Sequence, residues 1–222
     1  MAVRKTSFAG NPFLGLYAKA SDRLAFVAKS APKKFQEGVG NLGVDVFHAS
    51  VATSPYVGIY FAMNSHGIVL PPFCEKNEIK EIREKGLEVL VVKDSRFCAL
   101  GNNIACNDKG AIVNPDMPKE LLKDVEETLG VGAVGKKIAG YKTVGMMVVA
   151  TNKGWVAHNR IDEEEGEMLE KVFKVKGMNG TVNSGTAMVG LGIVANSNSG
   201  IAGDATSGFE LGRIEQALDL TD

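Results

Sequence analysis

The sequence has few cysteines, little net charge and no long apolar run. Its 222 residues contain three cysteines, Cys74, Cys98 and Cys106, and their odd number and unpaired spacing favour a reducing compartment over a disulfide framework. The formal net charge is −1, whereas a protein that neutralises many phosphates is usually far more basic. Apolar runs stay well short of the roughly 18 residues of a membrane span, and the N-terminus carries no apolar signal segment. We therefore expect a cytoplasmic protein with no membrane partner and only local contacts to nucleic acid.

Groups that could bind a metal or a cofactor are also scarce. The three histidines, His48, His66 and His158, are far apart and lack the spacings typical of metal ligands. Residues 130–136, GVGAVGK, imitate a phosphate-binding loop, but they follow a predicted helix and enter a predicted strand. A phosphate loop has the opposite order, because the N-terminus of its helix must face the anion. The sequence predicts no metal, no cofactor and no small-molecule substrate.

Glycine, by contrast, is abundant, with 26 residues. Five glycines recur at intervals of 43, 43, 44 and 45 residues, each after Leu or Val: Gly15, Gly58, Gly101, Gly145 and Gly190. Each is followed by an aliphatic strand, a polar turn and a second aliphatic strand, as in VGMMVVATNKGWVAH at 144–158. An internal period of this length indicates five copies of one structural unit.

The polar turns are predicted to be the tips of hairpins. Three of them, 65–67, 108–110 and 152–154, place glycine after two polar residues, which is typical of a type I turn closed by a residue at positive φ. The first tip, 22–24, has no glycine and predicts a different turn. The fifth tip, 196–200, is predicted to be longer.

Each hairpin is followed by an amphipathic helix and a short third strand, so the unit is β-β-α-β. Apolar residues at helical spacing predict helices at 35–42, 79–85, 118–129, 163–173 and 208–218. The third strands are predicted at 44–47, 88–92, 132–138 and 177–182.

The fifth copy lacks its third strand, because the chain ends just after its helix. Residues 2–8 precede the first copy as third strands precede the others, so we expect them to complete the last unit and close a ring without exposed edges. The predicted fold is an α+β, closed five-fold pseudosymmetric β-β-α-β propeller. It forms one domain over 1–222, since a single unit is too small to bury its apolar face alone. The repeats are predicted at about 10–55, 56–98, 99–142, 143–187 and 188–222, with 2–8 added to the last.

Four of the five tips carry a basic or titratable side chain: Arg23, His66, Lys109 and Lys153. In a symmetric ring these residues lie on one face. One hypothesis is that this face contacts RNA or an acidic protein surface. The alternative is that they are ordinary solvated turn residues.

Several segments resemble the translation initiation factor 6 family in its archaeal form. They are AVRKTSF at 2–8, VFHASV at 46–51, CALGNNIACNDKGAIVNPD at 98–116 and GTVNSGTAMVGLGIVANSNSG at 180–200, and the resemblance extends over the whole chain. It implies a pentein-type ring, monomeric and without enzymatic activity, that binds the intersubunit face of the large ribosomal subunit. There it implies contact with a universal ribosomal protein beside the sarcin–ricin loop, and with the loop RNA itself, so that the small subunit cannot join.

The resemblance also implies a ribosome-binding surface. It includes Asn102 of the LGN motif, Asn64 and His66 of the second hairpin, and Asn107 and Asp108 of the CND turn. Lys109 joins this set as a basic tip residue, and Ile59 joins it as the neighbour of Asn102 in the preceding copy. Asn102 is unusual even without the resemblance, because the sister copies carry apolar residues at its position: Leu16, Ile59, Met146 and Leu191.

A guanidino-group-modifying enzyme of the same fold is the alternative function. Such enzymes resemble this ring but use a cysteine late in the chain as the nucleophile, whereas here the last cysteine is Cys106. Cys106 is predicted to occupy the position held by Met63 and Thr151 in sister copies, which indicates a structural residue. Without an activated thiolate the covalent step has no nucleophile.

Overall fold

The computed structural model describes residues 2–93 and 95–221. In this part of the chain fifteen strands form five sheets of three strands each. The strands are β1 Val3–Thr6, β2 Ala18–Ala20, β3 Leu24–Ala28, β4 Asp45–Ala49, β5 Ala62–Met63, β6 Gly67–Leu70, β7 Glu88–Val91, β8 Ile104–Cys106, β9 Ala111–Val113, β10 Ala133–Gly135, β11 Val148–Ala150, β12 Trp155–His158, β13 Gly177–Gly180, β14 Ile193–Ala195 and β15 Gly200–Gly203.

The described helices are either one turn long or two to three turns long. They are α1 Lys33–Gly40, α2 Val57–Tyr60, α3 Lys76–Arg83, α4 Leu100–Asn103, α5 Lys119–Leu129, α6 Val144–Met147, α7 Glu163–Phe173, α8 Val189–Gly192 and α9 Gly208–Ala217, with 3₁₀ helices at Leu14–Leu16 and Ser95–Phe97. None of those in residues 2–93 and 95–221 is long and apolar enough to cross a membrane.

All five sheets share one strand order. The orders are β2-β3-β4, β5-β6-β7, β8-β9-β10, β11-β12-β13 and β14-β15-β1. The first two strands of each sheet are antiparallel and the third lies parallel to the second. A parallel neighbour requires a crossover connection, which α1, α3, α5 and α7 provide. The β-β-α-β unit is therefore confirmed.

The N-terminal strand completes the last sheet, as predicted. Strand β1 lies parallel to β15, with Val3 opposite Gly200 and Thr6 opposite Gly203. The backbone N–H of Val3 also donates a hydrogen bond of 2.9 Å to the buried carboxylate of Glu215 on α9. The start and the end of the chain are thus held in one unit. The limits of the individual repeats stay a prediction.

The five repeat glycines close the ring. A Cβ atom on Gly58 would lie 1.9 Å from the carbonyl oxygen of Gly15, and the same relation continues through Gly101, Gly145 and Gly190 at 2.0, 2.1 and 2.2 Å. A Cβ atom on Gly15 would in turn lie 2.0 Å from the carbonyl oxygen of Gly190. Only glycine leaves room for the carbonyl oxygen of the neighbouring unit at this distance. The repeat glycines in the sequence therefore mark the positions where successive units are in contact.

The longer helices bury apolar stripes between neighbouring units. In α5, Leu121, Val125 and Leu129 are buried at helical spacing. They share a core cluster with Ala62 and Val69 of the second unit. Burying each such side chain contributes roughly 2 kcal/mol. This helix begins and ends within one residue of its predicted limits, 118–129.

The predictions for the hairpin tips were partly wrong. Gly67, Gly110 and Gly154 do not have positive φ. They are glycines because a Cβ atom would lie 2.1 to 2.2 Å from a carbonyl oxygen near the end of the next unit's helix, as at Thr128 for Gly67. Close packing between units, and not the turn itself, requires the glycine.

The first and fifth tips also adopt the common turn. The N–H of Ser21 donates to the carbonyl of Leu24, as the N–H of Asn64 donates to that of Gly67 and the N–H of Asn196 to that of Ser199. In the first tip the Ser21 hydroxyl accepts from the N–H groups of Arg23 and Leu24. In all five copies a side-chain oxygen at the first position accepts from N–H groups of the turn. The turn is therefore the same with or without glycine, and it is not longer in the fifth copy.

Candidate functional site

The inner strands of the ring, β2, β5, β8, β11 and β14, separate two faces. The short-helix face consists of residues 14–16, 57–60, 100–103, 144–147 and 189–192. The tip face consists of the turns 21–24, 64–67, 107–110, 151–154 and 196–199. Because an inner strand has two or three residues, the faces lie roughly 10 Å apart along it. The predicted site residues are therefore not brought together, since Asn102 and Ile59 belong to one face and the other five to the opposite one.

The short-helix face presents an apolar collar around the ring axis. The third residue of each one-turn helix is partly exposed, and four of these residues are apolar: Leu16, Ile59, Met146 and Leu191. The fifth is Asn102. Its side chain makes no hydrogen bond within residues 2–93 and 95–221, whereas the neighbouring Asn103 is buried and donates to the carbonyl of Ala99 at 2.8 Å. Asn102 thus offers an unused amide in an apolar surrounding.

Tyr56 extends this face. It is 41% exposed, it directly precedes α2, and its ring lies 5.7 Å from that of Tyr17. Exposed aromatic area next to an apolar collar is typical of protein-binding surfaces.

On the tip face, Asn64 and Asn107 are buried at 2% and 5% exposure. The amide oxygen of Asn64 accepts from the N–H groups of His66 and Gly67, and its nitrogen donates across to the carbonyls of Asn107 and Leu129 at 3.2 and 2.7 Å. Asn107 makes the equivalent bonds one unit further, to Thr151 and Phe173. Each asparagine therefore caps its own turn and the helix end of the next unit. Both have a role in holding the ring, and their contact with the ribosome stays a prediction.

Asp108 belongs to a hydrogen-bonded belt that joins the tips. Its carboxylate accepts from the N–H of Ser65 at 2.7 Å and from the amide of Asn152 at 2.6 Å. The same amide donates to Asp22 at 2.7 Å, and Asp22 accepts from the N–H and the hydroxyl of Ser197. Both carboxylates thus accept hydrogen bonds from uncharged donors that belong to other units.

The basic tip residues do lie on one face, because neighbouring tips are in direct contact. Arg23 donates to the carbonyls of Lys85 and Gly86 at the end of the second unit's helix. Lys109 is partly buried and donates to the carbonyl of Asn152 at 2.8 Å. His66 and Lys153 are exposed. Two of the four basic groups are therefore occupied within the ring, and two point to solvent.

The channel between the faces holds Cys106 and Lys19. Burial raises the pKa of the Cys106 thiol to about 12, although the nearby Lys19 opposes the increase. The thiol donates to the carbonyl of Met63 at 3.1 Å. A protonated thiol in this environment is the opposite of an activated nucleophile.

One sequence equivalence was wrong by one residue. Cys106 corresponds to Met63 and Ala150, each five residues after its repeat glycine. Thr151 corresponds to Asn107 instead, since its hydroxyl accepts from the N–H groups of Lys153 and Gly154 as the Asn107 amide oxygen does in its own turn. A small or apolar residue at the Cys106 position fits the structural interpretation.

A comparison with protein-family models matches residues 3–217 to the eIF-6 family. The chain belongs to the eIF-6 family. It is similar to curated proteins named translation initiation factor 6 in Archaeoglobus fulgidus, with 41% identity over 214 residues, covering 96% of this chain and 99% of the relative. The protein of that name in Thermoplasma acidophilum is 37% identical over 220 residues, covering 97% and 99%. That in Pyrococcus abyssi is 35% identical over 226 residues, covering 99% and 100%.

The match confirms the resemblance found in the sequence and supports a role for this eIF-6 family protein in translation initiation. Sequence reasoning missed two features of the ring, the exposed Tyr56 and the channel residue Lys19. A signal for Lys19 was present, because it stands where the sister units carry Ala62, Ala105, Val149 and Val194. Among the residues that the structure describes, no group of three metal-ligating side chains comes together.

Proposed function

We propose that the protein binds the large ribosomal subunit on its intersubunit face and sterically prevents association with the small subunit. The observation that carries this proposal is the match to the eIF-6 family along residues 3–217. The mechanism requires only that a rigid body occupy the surface where the subunits meet. It requires no cofactor and no reaction, and it places the protein in the cytoplasm with the ribosomes.

The short-helix face is the proposed docking face, with Asn102 and Ile59 at its contact. A protein interface has an apolar core with a few well-placed polar groups, and the collar with its single amide has this composition. The formal net charge of −1 suits a protein partner better than a polyphosphate surface. We propose as partner the universal ribosomal protein beside the sarcin–ricin loop, with the loop RNA at the edge of the contact.

His66, Asp108 and Lys109 lie on the opposite face, so a flat subunit surface cannot contact them and Asn102 together. Substitutions on each face therefore identify which face docks. The closed ring supports tight binding in either case, because a rigid protein loses little conformational freedom on association.

The guanidino-modifying activity is not proposed. Its reaction needs a thiolate, whereas the pKa of Cys106 is raised to about 12 by burial. The chain has no cysteine after Cys106 to replace it.

Co-sedimentation with separated ribosomal subunits tests the proposal. We expect the wild-type protein to pellet with the large subunit only and to block re-association. Asn102→Asp places a charge in the apolar collar and is expected to weaken binding at least about tenfold. Lys153→Glu on the tip face is the matched control and should bind normally.

Two results would contradict the proposal in different ways. If the wild-type protein stays in the supernatant with both subunits, the function is wrong. If it pellets but only Lys153→Glu weakens binding, the function stands and the docking face is the tip face.

A further inference from the structure

We propose that the central channel of the ring binds one small monovalent anion, such as chloride or bromide, at the ammonium group of Lys19. The site lies inside the ring and does not depend on the proposed ribosome binding.

The channel is a cavity of about 50 Å³ lined by inner strands from all five units. The side chains that line it are mainly aliphatic, with Ile104, Val148, Val149, Ile193 and Val194 among the larger ones, although much of the exposed lining surface is polar. Lys19 is the one charged side chain among the lining residues. In the sister units the same position is Ala or Val, so this charge is a property of the first unit alone.

Lys19 has no partner of opposite charge in residues 2–93 and 95–221. The ion pairs in this part of the chain, such as Lys29 with Glu81 and Lys142 with Asp116, are all on the surface. The carboxylates nearest the channel, Asp22 and Asp108, are bonded to Asn152 and to backbone N–H groups of the tip belt.

An ammonium group in aliphatic surroundings is costly unless a counter-charge accompanies it. Burial accordingly lowers the pKa of Lys19, and the neighbouring Cys106 opposes this only in part. An anion beside the ammonium would reduce this cost, because it supplies the missing opposite charge.

The size and chemistry of the channel select the anion. A cavity of about 50 Å³ holds roughly three or four water-sized spheres, enough for one halide and one or two waters. Sulfate or phosphate would need several donors to replace its hydration. Lys19 is the one cationic donor, and the Cys106 thiol already donates to the carbonyl of Met63.

Anion-dependent stability of the full chain tests the proposal. Wild type, Lys19→Met and the exposed-lysine control Lys153→Met are each refolded from denaturant in sodium chloride, bromide or gluconate at equal ionic strength. Refolding gives the anion access to the channel, and gluconate is too large to enter it. Above the dissociation constant, we expect the melting temperature of wild type and of Lys153→Met to rise by about 4 °C for each tenfold increase in halide. Lys19→Met should show no such rise.

Bromide also permits a direct check by anomalous scattering in crystals of the wild-type protein. A peak beside the Lys19 ammonium group, absent from Lys19→Met, would support the site. The proposal is overturned if Lys19→Met responds to halide as wild type does, if wild type does not respond at all, or if bromide is found only on the outer surface.

Discussion

Replacing Glu210 with glutamine should lower the free energy of unfolding by about 2–3 kcal/mol, because the fold depends on its buried carboxylate. Glu210 is the third residue of α9 and is 6% exposed. It accepts hydrogen bonds from the Thr181 hydroxyl at 2.7 Å, from the N–H groups of Ser184 and Gly185 at 3.0 and 2.8 Å, and from Ser207. One side chain thus joins the start of α9 to the loop that leads into α8.

The size of the effect follows from the pKa of this group. Burial alone would raise the pKa, but the bonds from Ser207, Thr181 and Gly185 outweigh it and lower the pKa from 4.5 to about 2. At about 1.4 kcal/mol per pKa unit, the ionised form contributes roughly 3 kcal/mol to the free energy of unfolding. Glutamine keeps one accepting oxygen, so Glu210→Gln should lose about 2–3 kcal/mol at neutral pH, or about 5–10 °C in melting temperature.

The pH dependence has a definite sign. Because the pKa is lower in the folded than in the unfolded state, the contribution is complete above pH 4.5 and is lost as the pH falls towards 2. The difference in unfolding free energy between wild type and Glu210→Gln should therefore shrink over that interval. Urea unfolding at a series of pH values measures it.

Glu167→Gln is the matched control. Its carboxylate is 65% exposed in an i,i+4 pair with Lys171, and such pairs contribute only about 0.3–0.5 kcal/mol. If Glu210→Gln is no more destabilising than Glu167→Gln, or if its cost is constant down to pH 2, the assignment of the cost to the ionised carboxylate is refuted.

Three further predictions concern the ring. Gly145→Ala would place a Cβ atom 2.1 Å from the Gly101 carbonyl oxygen, and it should lower the free energy of unfolding by more than about 3 kcal/mol. In the control Gly212→Ala on α9 the new Cβ atom meets nothing within 4 Å, and the free energy of unfolding should rise by about 0.5–1 kcal/mol. Equal effects in thermal unfolding would contradict the close contact between repeat glycines. Asn107→Ala leaves the buried carbonyls of Thr151 and Phe173 without their donor, and the free energy of unfolding in urea should fall by about 2–4 kcal/mol. A loss no larger than that of Asn102→Ala would show that the hydrogen bonds of the tips are not needed for stability. Burial, aided by the charge of Arg160, lowers the pKa of His158 from its ordinary value of 6.5. The neutral ring therefore contributes fully to stability above pH 6.5, and this contribution is lost as the pH falls. His158→Gln should make the unfolding free energy depend less on pH below that value, and an unchanged pH dependence would contradict this assignment.

Much of the fold could be predicted because its signals repeat. The glycine spacing predicted five units, the alternation of strands and helix predicted β-β-α-β, and the position of residues 2–8 predicted the closing strand. The candidate site could be predicted only as a set of residues. Asn102 was recognised because its sister residues are apolar, but the same pattern did not show that it lies on the face opposite to His66.

The burial of Asn64 and Asn107 could not be seen in the sequence. A polar turn residue is usually solvated. In the sequence, a solvated asparagine and a buried asparagine that caps a neighbouring helix look the same, because their neighbours along the chain are the same. What decides between the two is a carbonyl 65 or 66 residues away, Leu129 for Asn64 and Phe173 for Asn107. That partner is brought close only when consecutive units pack.

The sequence by itself determined the unit, the number of copies and the family, because each depends on residue types at fixed spacing along the chain. The tertiary structure alone decided which glycine is needed for close packing, which asparagine is buried, and that Lys19 stands in an aliphatic channel with Cys106. These properties depend on contacts between units, and ring closure sets such contacts for all five units together. Local sequence therefore specifies each repeat unit, whereas the role of an individual residue depends on its contacts with the neighbouring units of the ring.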